Sequence, residues 1–302
     1  MVGGNTMNKI RKIREFVMAK VFMVCALISV LALTVIFLFL LVNGLPAIRE
    51  IGLFNFLFGR IWTPVSHPPS FGILPMILGS VYITLGAIIV GVPIGIFTAI
   101  FLAYICPKKL YAMLKPAVNL LAGIPSVIYG FFGMVVVVPL VGRISVLLTG
   151  GGTGASIFAA SLLLGIMILP TVINISESAI RAAPNSYYEG ALALGSSPMR
   201  SIFFVIVPAA KSGILASIIL GIGRAIGETM AVLMVAGNQA RMPISVFRGA
   251  RTLTANVAME MGYAEVGSLH SNALIATGIV LFVFIFAINV LFTIVTRKHK
   301  GA

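Results

Sequence analysis

A short polar segment between two long apolar runs is the most informative part of this chain. It reads EGALALG over Glu189–Gly195, and after nine further residues it closes with VIVP over Val205–Pro208. Because apolar runs of membrane-spanning length flank it, the segment is expected to reach water between two membrane helices. It is therefore the candidate place where a soluble partner binds a chain that is otherwise embedded in lipid.

The composition is that of a membrane protein. Of the 302 residues, 60% are hydrophobic and 9% are charged, whereas soluble domains carry about a quarter charged residues. The net charge of +14 does not indicate nucleic-acid binding, because the basic residues cluster at the ends of apolar runs without interleaved aromatic residues. Cys25 and Cys106, with no histidine cluster near them, indicate neither a disulfide framework nor a metal site.

Six apolar runs are long enough to cross a bilayer, which takes about 20 residues. They predict an all-α integral membrane protein with six transmembrane helices, over Val21–Val42, Ile73–Ile105, Leu114–Val141, Ala155–Ala179, Ile214–Ala236 and Ala273–Thr296. The first run is too long for the apolar part of a secretory signal, so it is expected to be an uncleaved span. The second run is longer than a bilayer is thick, so it is expected to tilt or protrude.

The distribution of lysine and arginine predicts the orientation. With the N-terminus inside, 14 basic residues fall on inner segments and 6 on outer segments, the latter being Arg49, Arg60, Arg143, Arg241, Arg248 and Arg251. The positive-inside rule therefore places both termini in the cytosol. The same count places the segment that contains Glu189–Gly195 on the cytosolic face, between the fourth and fifth spans.

The cytosolic segment is predicted to form two short helices joined by a tight turn. Asn185 or Ser186 is expected to cap the first helix, and Gly195 to end it. Ser197 is expected to cap the second helix, with Pro198 at its first position. Such a unit would present a rigid surface to a partner. From spacing alone, an ordinary solvated loop with turn residues is the alternative.

Two charges fall inside the fifth apolar run. Arg224 and Glu228 are four residues apart, so on one helix they would share a face. The flanking Gly221, Gly223 and Gly227 are small enough to permit close helix packing. Each charge costs about 2.5–3.5 kcal/mol at the bilayer centre, so the pair is expected to face a helix interface or a water-filled path. A charge pair that only fixes helix packing is the alternative.

The spacing around the cytosolic segment resembles the coupling loop of ABC importer permeases. That loop has the pattern Glu-x-Ala, three residues, Gly, nine residues, aliphatic-x-aliphatic-Pro. Glu189, Ala191, Gly195 and Pro208 fall in register with it, and Gly190 stands where alanine is usual. In that family the loop docks into a groove on a separate ATPase subunit. The resemblance therefore implies that these five residues form the ATPase contact within a type I ABC importer permease architecture.

Other stretches resemble the phosphate-transport branch of these permeases. They are FGILP (Phe71–Pro75), LAGIPSVIYG (Leu121–Gly130) and GRAIGETMA (Gly223–Ala231). The outer stretch LTANVAMEMG (Leu253–Gly262) is more similar to PstC-type subunits than to their PstA-type siblings. The resemblance covers roughly residues 71–296 and implies that Arg224 and Glu228 belong to the translocation path.

The resemblance also implies partners and a location. The expected partners are a second, PstA-type permease, a dimer of ATP-binding subunits and an external phosphate-binding protein, all at a bacterial or archaeal plasma membrane, with no nucleic acid. This chain is expected to bind no cofactor, to hold no metal and to catalyse no reaction, with ATP hydrolysed by the partner. The glycine-rich stretch Gly150–Gly154 is not followed by the lysine that a Walker loop needs.

The chain is expected to divide into three parts. Residues 1–72 hold the basic N-terminus, the first span and an external loop, residues 73–296 hold the core permease domain with the coupling loop at 184–208, and residues 297–302 form a basic cytosolic tail. In the external loop before the last span, Glu260 and Glu265 are expected to be solvated.

Two hypotheses account for a carboxylate next to an arginine in an anion path. The Glu228 carboxylate could accept hydrogen bonds from the P–OH groups of inorganic phosphate, which sulfate lacks, or it could hold the Arg224 guanidinium as a counter-ion until the path opens. Arginine itself suits oxyanions because its planar fork of donors matches them.

Alternative functions follow from the same residues. The chain could be a permease for molybdate or sulfate, or a secondary transporter that uses Glu228 as its proton site. The coupling-loop pattern and the lack of a visible inverted repeat argue against a secondary transporter. No constellation of catalytic side chains supports an intramembrane enzyme.

Overall fold

The computed structural model describes the backbone from Gly3 to Lys298, and side chains over residues 14–148 and 150–290 and at residue 294. The predicted tail at 297–302 therefore lies largely outside the described residues. The described backbone is helical apart from loops and one antiparallel pair of two-residue strands, β1 (Trp62–Thr63) and β2 (Ser70–Phe71).

The helices follow one another with short connections. In chain order they are α1 (Gly3–Ile51), α2 (Leu53–Phe58), α3 (Leu74–Ile100), α4 (Lys108–Gly123), α5 (Ser126–Phe132), α6 (Val138–Thr149), α7 (Ile157–Arg181), α8 (Asn185–Ala193), α9 (Pro198–Ser201), α10 (Val207–Ala209), α11 (Lys211–Ile226), α12 (Met230–Val235), α13 (Leu253–Glu260) and α14 (Leu269–Lys298). Short π-helical turns continue α3, α5 and α9, over Phe101–Ile105, Gly133–Val137 and Ile202–Ile206.

Helix α7 lies at the centre of the transmembrane core and packs along α3. Small residues bring these two helices close together, as in other membrane bundles. A Cβ atom on Gly91 would lie 2.6 Å from the Gly165 carbonyl oxygen and 2.8 Å from Ile168 Cγ1. A Cβ atom on Gly95 would lie 2.7 Å from Val172 Cγ1. Glycine at these positions is therefore a packing requirement.

The number of membrane spans depends on how one bent pair of helices is counted. Among the described residues, five helices are long and apolar enough to cross a membrane, and they cover Arg14–Ile51, Leu74–Ile105, Ser126–Leu148, Ile157–Arg181 and Leu269–Val290. A further candidate is the pair Pro198–Ala209 and Lys211–Ile226, which is bent by 70°. Six spans result only if that pair counts as one.

The third apolar run is not one helix, so the predicted span over Leu114–Val141 is wrong in its bounds. Helix α4 ends at Gly123, and the chain is extended at Ile124 and Pro125 before α5 begins. The break has a local cause, because proline lacks the backbone donor and disfavours helical geometry in the residue before it. Helix α4 lies against α7 without a fully buried side chain.

The fifth run, predicted as a single span over Ile214–Ala236, is broken as well. Helix α11 ends at Ile226, and α12 begins only at Met230. The turn over Gly227–Thr229 interrupts the helix. It begins at Gly227 because glycine is the weakest helix former after proline. The expectation that Arg224 and Glu228 share one helical face is therefore wrong.

One end of the molecule contains a buried polar cluster that contradicts one expectation. Glu260 is buried rather than solvated, and its carboxylate accepts bonds from Arg251 Nη1 at 2.6 Å and from Trp62 Nε1 at 2.8 Å. His270 Nε2 lies 2.9 Å from the same carboxylate. The cluster joins the β-hairpin to α13 and α14, whereas Glu265 is exposed as expected.

Replacing Gly91 with alanine tests the close packing of α3 on α7. The added methyl group would overlap the Gly165 carbonyl oxygen, so Gly91→Ala is expected to cost about 1–3 kcal/mol. The measurement is thermal unfolding of the purified protein in detergent. Gly223→Ala is the control, because a Cβ atom there meets nothing within 4 Å. Equal melting of the two variants would contradict the packing argument.

Candidate functional site

The segment around Glu189 forms the predicted pair of short helices. Ser197 Oγ accepts a hydrogen bond from Arg200 N at 3.4 Å at the start of α9, and Pro198 is the first residue of that helix, as predicted. Gly195 has φ +84 and makes the turn after α8, which favours glycine. The predicted cap of α8 is wrong, because Pro184 occupies the N-cap position and no side chain caps the helix.

This unit has an exposed tip and a buried base. Leu194, at the end of α8, is 92% exposed, and the side chains of Tyr187 and Met199 are also exposed. At the base, Ile202 and Ile206 pack into an apolar cluster with residues of α3, α7 and α11. An apolar tip on a firmly packed base can transmit force to the helices behind it.

The five predicted coupling residues lie in this unit. Glu189 and Gly190 are exposed on α8, Ala191 is half-buried beside them, and Gly195 is exposed in the turn. Pro208 lies at the other end of the unit, exposed in α10, just before the bend into α11. The structure thus brings the first four together and places Pro208 where the unit joins the membrane helices.

Arg224 and Glu228 lie on either side of the break between α11 and α12. Arg224 is exposed in the last turn of α11, and no hydrogen bond or ion pair joins it to any described residue. Glu228 instead caps α12 from one position before the N-cap residue Thr229, since its Oε1 accepts a hydrogen bond from Ala231 N at 3.1 Å. The Thr254 hydroxyl donates to the Glu228 carbonyl oxygen at 3.2 Å, so α13 also contacts the break.

The breaks in the third and fifth apolar runs lie close together. The Tyr129 hydroxyl of α5 donates to the Leu121 carbonyl oxygen at 2.8 Å across the first break. The next residue, Gly130, packs against the start of α12, since a Cβ atom there would lie 3.0 Å from Ala231 Cα. An arginine whose donors are free, at a break in an apolar helix, can bind an oxyanion through its planar fork.

Sequence reasoning missed a buried polar cluster near the coupling unit, which is the segment of short helices over residues 185–209 that contains the five predicted coupling residues. Glu177 of α7 is 2% exposed, and its carboxylate binds Lys115 Nζ at 2.7 Å, Arg181 Nε at 2.8 Å and the Tyr111 hydroxyl at 2.9 Å. The bond to the carboxylate raises the pKa of the Tyr111 phenol, because it requires the phenolic proton. The available signal was a glutamate inside an apolar run with arginine four residues later.

Fold and site together define a multi-pass helical membrane protein with an exposed helix–turn–helix unit. Residues 91–301 match the family described as the binding-protein-dependent transport system inner membrane component. The chain belongs to that family. It is therefore a transporter component at the inner membrane, a permease subunit.

Named relatives extend the match over most of the chain. A probable ABC transporter permease protein, YqgH of Bacillus subtilis, is 38% identical over 278 residues, covering 91% of this chain and 89% of that protein. The phosphate transport system permease protein PstC of Mesorhizobium japonicum is 36% identical over 250 residues, covering 78% and 76%. The resemblance to PstC-type permeases that the motifs indicated is confirmed.

A solved structure supports the fold. A chain of the MetNI methionine ABC transporter in an inward-facing conformation aligns with a TM-score of 0.59, covering 75% of this chain and 95% of that one. The sequence identity is 17%, so this likeness concerns the fold alone. The predicted ABC importer permease architecture therefore agrees with the observed one.

Glu228 can be tested as a helix cap. Glu228→Ala removes the acceptor for Ala231 N and is expected to lower stability by about 1 kcal/mol, whereas Glu228→Gln retains an acceptor oxygen and is expected to melt close to the parent. The measurement is the melting temperature of the purified chain in detergent. If Glu228→Ala and Glu228→Gln lost equal stability, the carboxylate would be acting through its charge and not as a cap.

Proposed function

We propose that this chain is one permease subunit of an ATP-driven importer of inorganic phosphate. The observation that supports phosphate as the substrate is the similarity to proteins named as phosphate transport permeases, such as the 36% identical PstC of Mesorhizobium japonicum. The exposed Arg224 supports it chemically, because a guanidinium with free donors at a helix break suits a tetrahedral oxyanion.

The chain supplies half of the translocation path in this proposal. Arg224 is exposed in the isolated chain, and an arginine facing lipid would be costly. Long apolar side chains on α5 and α6, such as Phe131 and Leu147, are also exposed. A second permease subunit, of the PstA type, would cover the Arg224 side, and the path would run between the two subunits.

Force reaches the path through the coupling unit. We infer that a dimer of ATP-binding subunits binds the apolar tip at Leu194 and moves it as ATP is bound and hydrolysed in that dimer. Because α11 joins the unit to Arg224, such a movement would tilt α11 and turn the path alternately outward and inward. This chain itself would bind no cofactor, and an external phosphate-binding protein would deliver the substrate.

The proposed orientation has both termini in the cytosol, with six spans if the bent pair crosses once. The excess of basic residues on the inner segments supports it. The coupling unit then faces the cytosol, where ATP is available. The buried cluster of Glu260, Arg251, Trp62 and His270 then lies on the external side.

A permease for another oxyanion is the main alternative, because a guanidinium binds sulfate and molybdate as well as phosphate. A proton-coupled transporter is less well supported. In that reading Glu228 would carry the proton, and the exposed helix–turn–helix unit with its tip at Leu194 would have no role.

Uptake of labelled phosphate tests the function and the role of Arg224 together. Vesicles that contain this chain, a second permease subunit, the ATP-binding subunits and ATP are expected to take up phosphate. Arg224→Gln is expected to reduce the rate of uptake by about ten- to a hundredfold, because charge-assisted hydrogen bonds to the anion are lost. Arg143→Gln, at an exposed arginine of α6, is the control.

Two outcomes would contradict the proposal. Uptake of sulfate or molybdate in place of phosphate would move the chain to the alternative substrate class. Loss of uptake on adding a protonophore, with ATP held constant, would indicate a proton-coupled transporter.

Replacing Leu194 tests the coupling surface. Leu194→Asp puts a charge on the exposed apolar tip and is expected to weaken binding of the ATP-binding subunits by about 2 kcal/mol or more, about thirtyfold in Kd. Co-purification of those subunits from detergent measures it, and Glu189→Lys is expected to act in the same direction. Val266→Asp, at a 96% exposed aliphatic residue of the opposite loop, is the matched control. Retention of the subunits by both coupling variants would rule out this surface.

A further inference from the structure

The cluster around Glu177 ties two helices together at the inner end of the core. The carboxylate is almost completely buried in α7, and it receives Lys115 Nζ and the Tyr111 hydroxyl from α4. Lys115 Nζ also donates to Asn174 Oδ1 at 2.7 Å. A buried carboxylate with several charged donors is held firmly, because losing any of them would leave its charge partly uncompensated.

This tie is the main polar attachment of α4. The helix has no fully buried side chain, and large apolar residues such as Met113 and Leu120 are exposed on it. Packing alone therefore holds α4 weakly, since buried apolar area is the main source of cohesion between elements. The bonds from Lys115 and Tyr111 fix the position of α4 relative to α7.

One side of the cluster leads to the coupling unit. Arg181, which binds Glu177, is the last residue of α7, and α8 begins four residues later at Asn185. Arg181 Nη2 also donates to the Leu102 carbonyl oxygen at 2.7 Å, which attaches the inner end of the α3 span. A displacement of the coupling unit therefore acts directly on the end of α7 that carries Glu177.

The other side of the cluster leads to Arg224. Helix α4 continues from Lys115 to the break at Ile124–Pro125, where its Leu121 carbonyl oxygen accepts the Tyr129 hydroxyl of α5. Gly130, the next residue of α5, packs against Ala231 at the start of α12, just beyond the second break. Hydrogen bonds and helix packing therefore connect the coupling unit with the two breaks beside Arg224.

We propose that Glu177 and Lys115 are positioning residues that transmit movement of the coupling unit through α4 to the helix breaks beside Arg224. The inference rests on the proposed function, because it assigns these residues a part in coupling ATP hydrolysis to transport. The two residues touch neither substrate nor ATPase in this assignment. They determine how far α4 moves together with α7 when the coupling unit is displaced.

The test measures phosphate transported per ATP hydrolysed in vesicles that contain the complete complex. Lys115→Met removes the charged part of the attachment between α4 and α7 but leaves Glu177 paired with Arg181 and Tyr111, so the chain is expected to fold. The ratio is expected to fall about three- to thirtyfold, the range in which residues between coupled sites modulate coupling. The ATP-binding subunits are expected to remain bound and to keep hydrolysing ATP.

Three further variants separate coupling from packing. Lys109→Met, at an exposed lysine of α4 with no described partner, is expected to keep the parent ratio. Lys115→Arg is expected to recover most of it, because a guanidinium can bind the same carboxylate. In a Glu177→Gln background, adding Lys115→Met is expected to change the ratio little, because Lys115 has already lost its ion-pair partner.

The outcomes distinguish the two proposals. If the parent complex takes up no phosphate with ATP, the proposed function fails. If the parent is coupled and Lys115→Met transports as much phosphate per ATP as Lys109→Met, the positioning role fails. Release of the ATP-binding subunits by Lys115→Met would also overturn it, because the cluster would then serve assembly and not transmission.

Discussion

The membrane interior contains no water to satisfy backbone polar groups, and this constraint organises the molecule. Every interruption of a helix inside the bilayer must find its hydrogen bonds within the protein. At the first interruption the Tyr129 hydroxyl donates to the Leu121 carbonyl oxygen. At the second, the Glu228 carboxylate accepts from Ala231 N, and Thr254 donates to the Glu228 carbonyl oxygen. The breaks are therefore built features, and they lie together beside Arg224.

The charged side chains divide into two kinds under the same constraint. Glu177 and Glu260 are buried and surrounded by donors, so they join helices at opposite ends of the core. Arg224 is exposed and has no hydrogen-bonded or ion-paired partner among the described residues. A charge that the chain leaves without a partner in a membrane requires a partner from elsewhere, either a second subunit or a passing ion. This contrast is the physical basis for the proposal that Arg224 belongs to the path.

Much of this arrangement was predictable from local sequence. The turn at Gly195 and the cap at Ser197 depend on residues close in the chain, and the structure agrees with them. The full clusters at Glu177 and Glu260 were not predictable. Arg181 is close to Glu177 in the chain, but Lys115 and Trp62 lie about 60 and about 200 residues from the carboxylates that they bind, and they come together only through packing. Local reasoning also overestimated helix continuity at Pro125 and Gly227, where a hydropathy count registers apolar residues but not the backbone break.

The sequence by itself determined the class of this protein: a helical membrane protein whose spaced motif resembles that of ABC importer permeases. Those properties follow from apolar length, charge distribution and a spaced motif, which do not require knowledge of contacts. Only the tertiary structure decided how the parts act on one another. It separated Arg224 from Glu228, made Glu228 a helix cap, and joined α4 to α7 through a buried carboxylate. These contacts join side chains on helices that are far apart in the chain. A pattern of neighbouring residues cannot specify them.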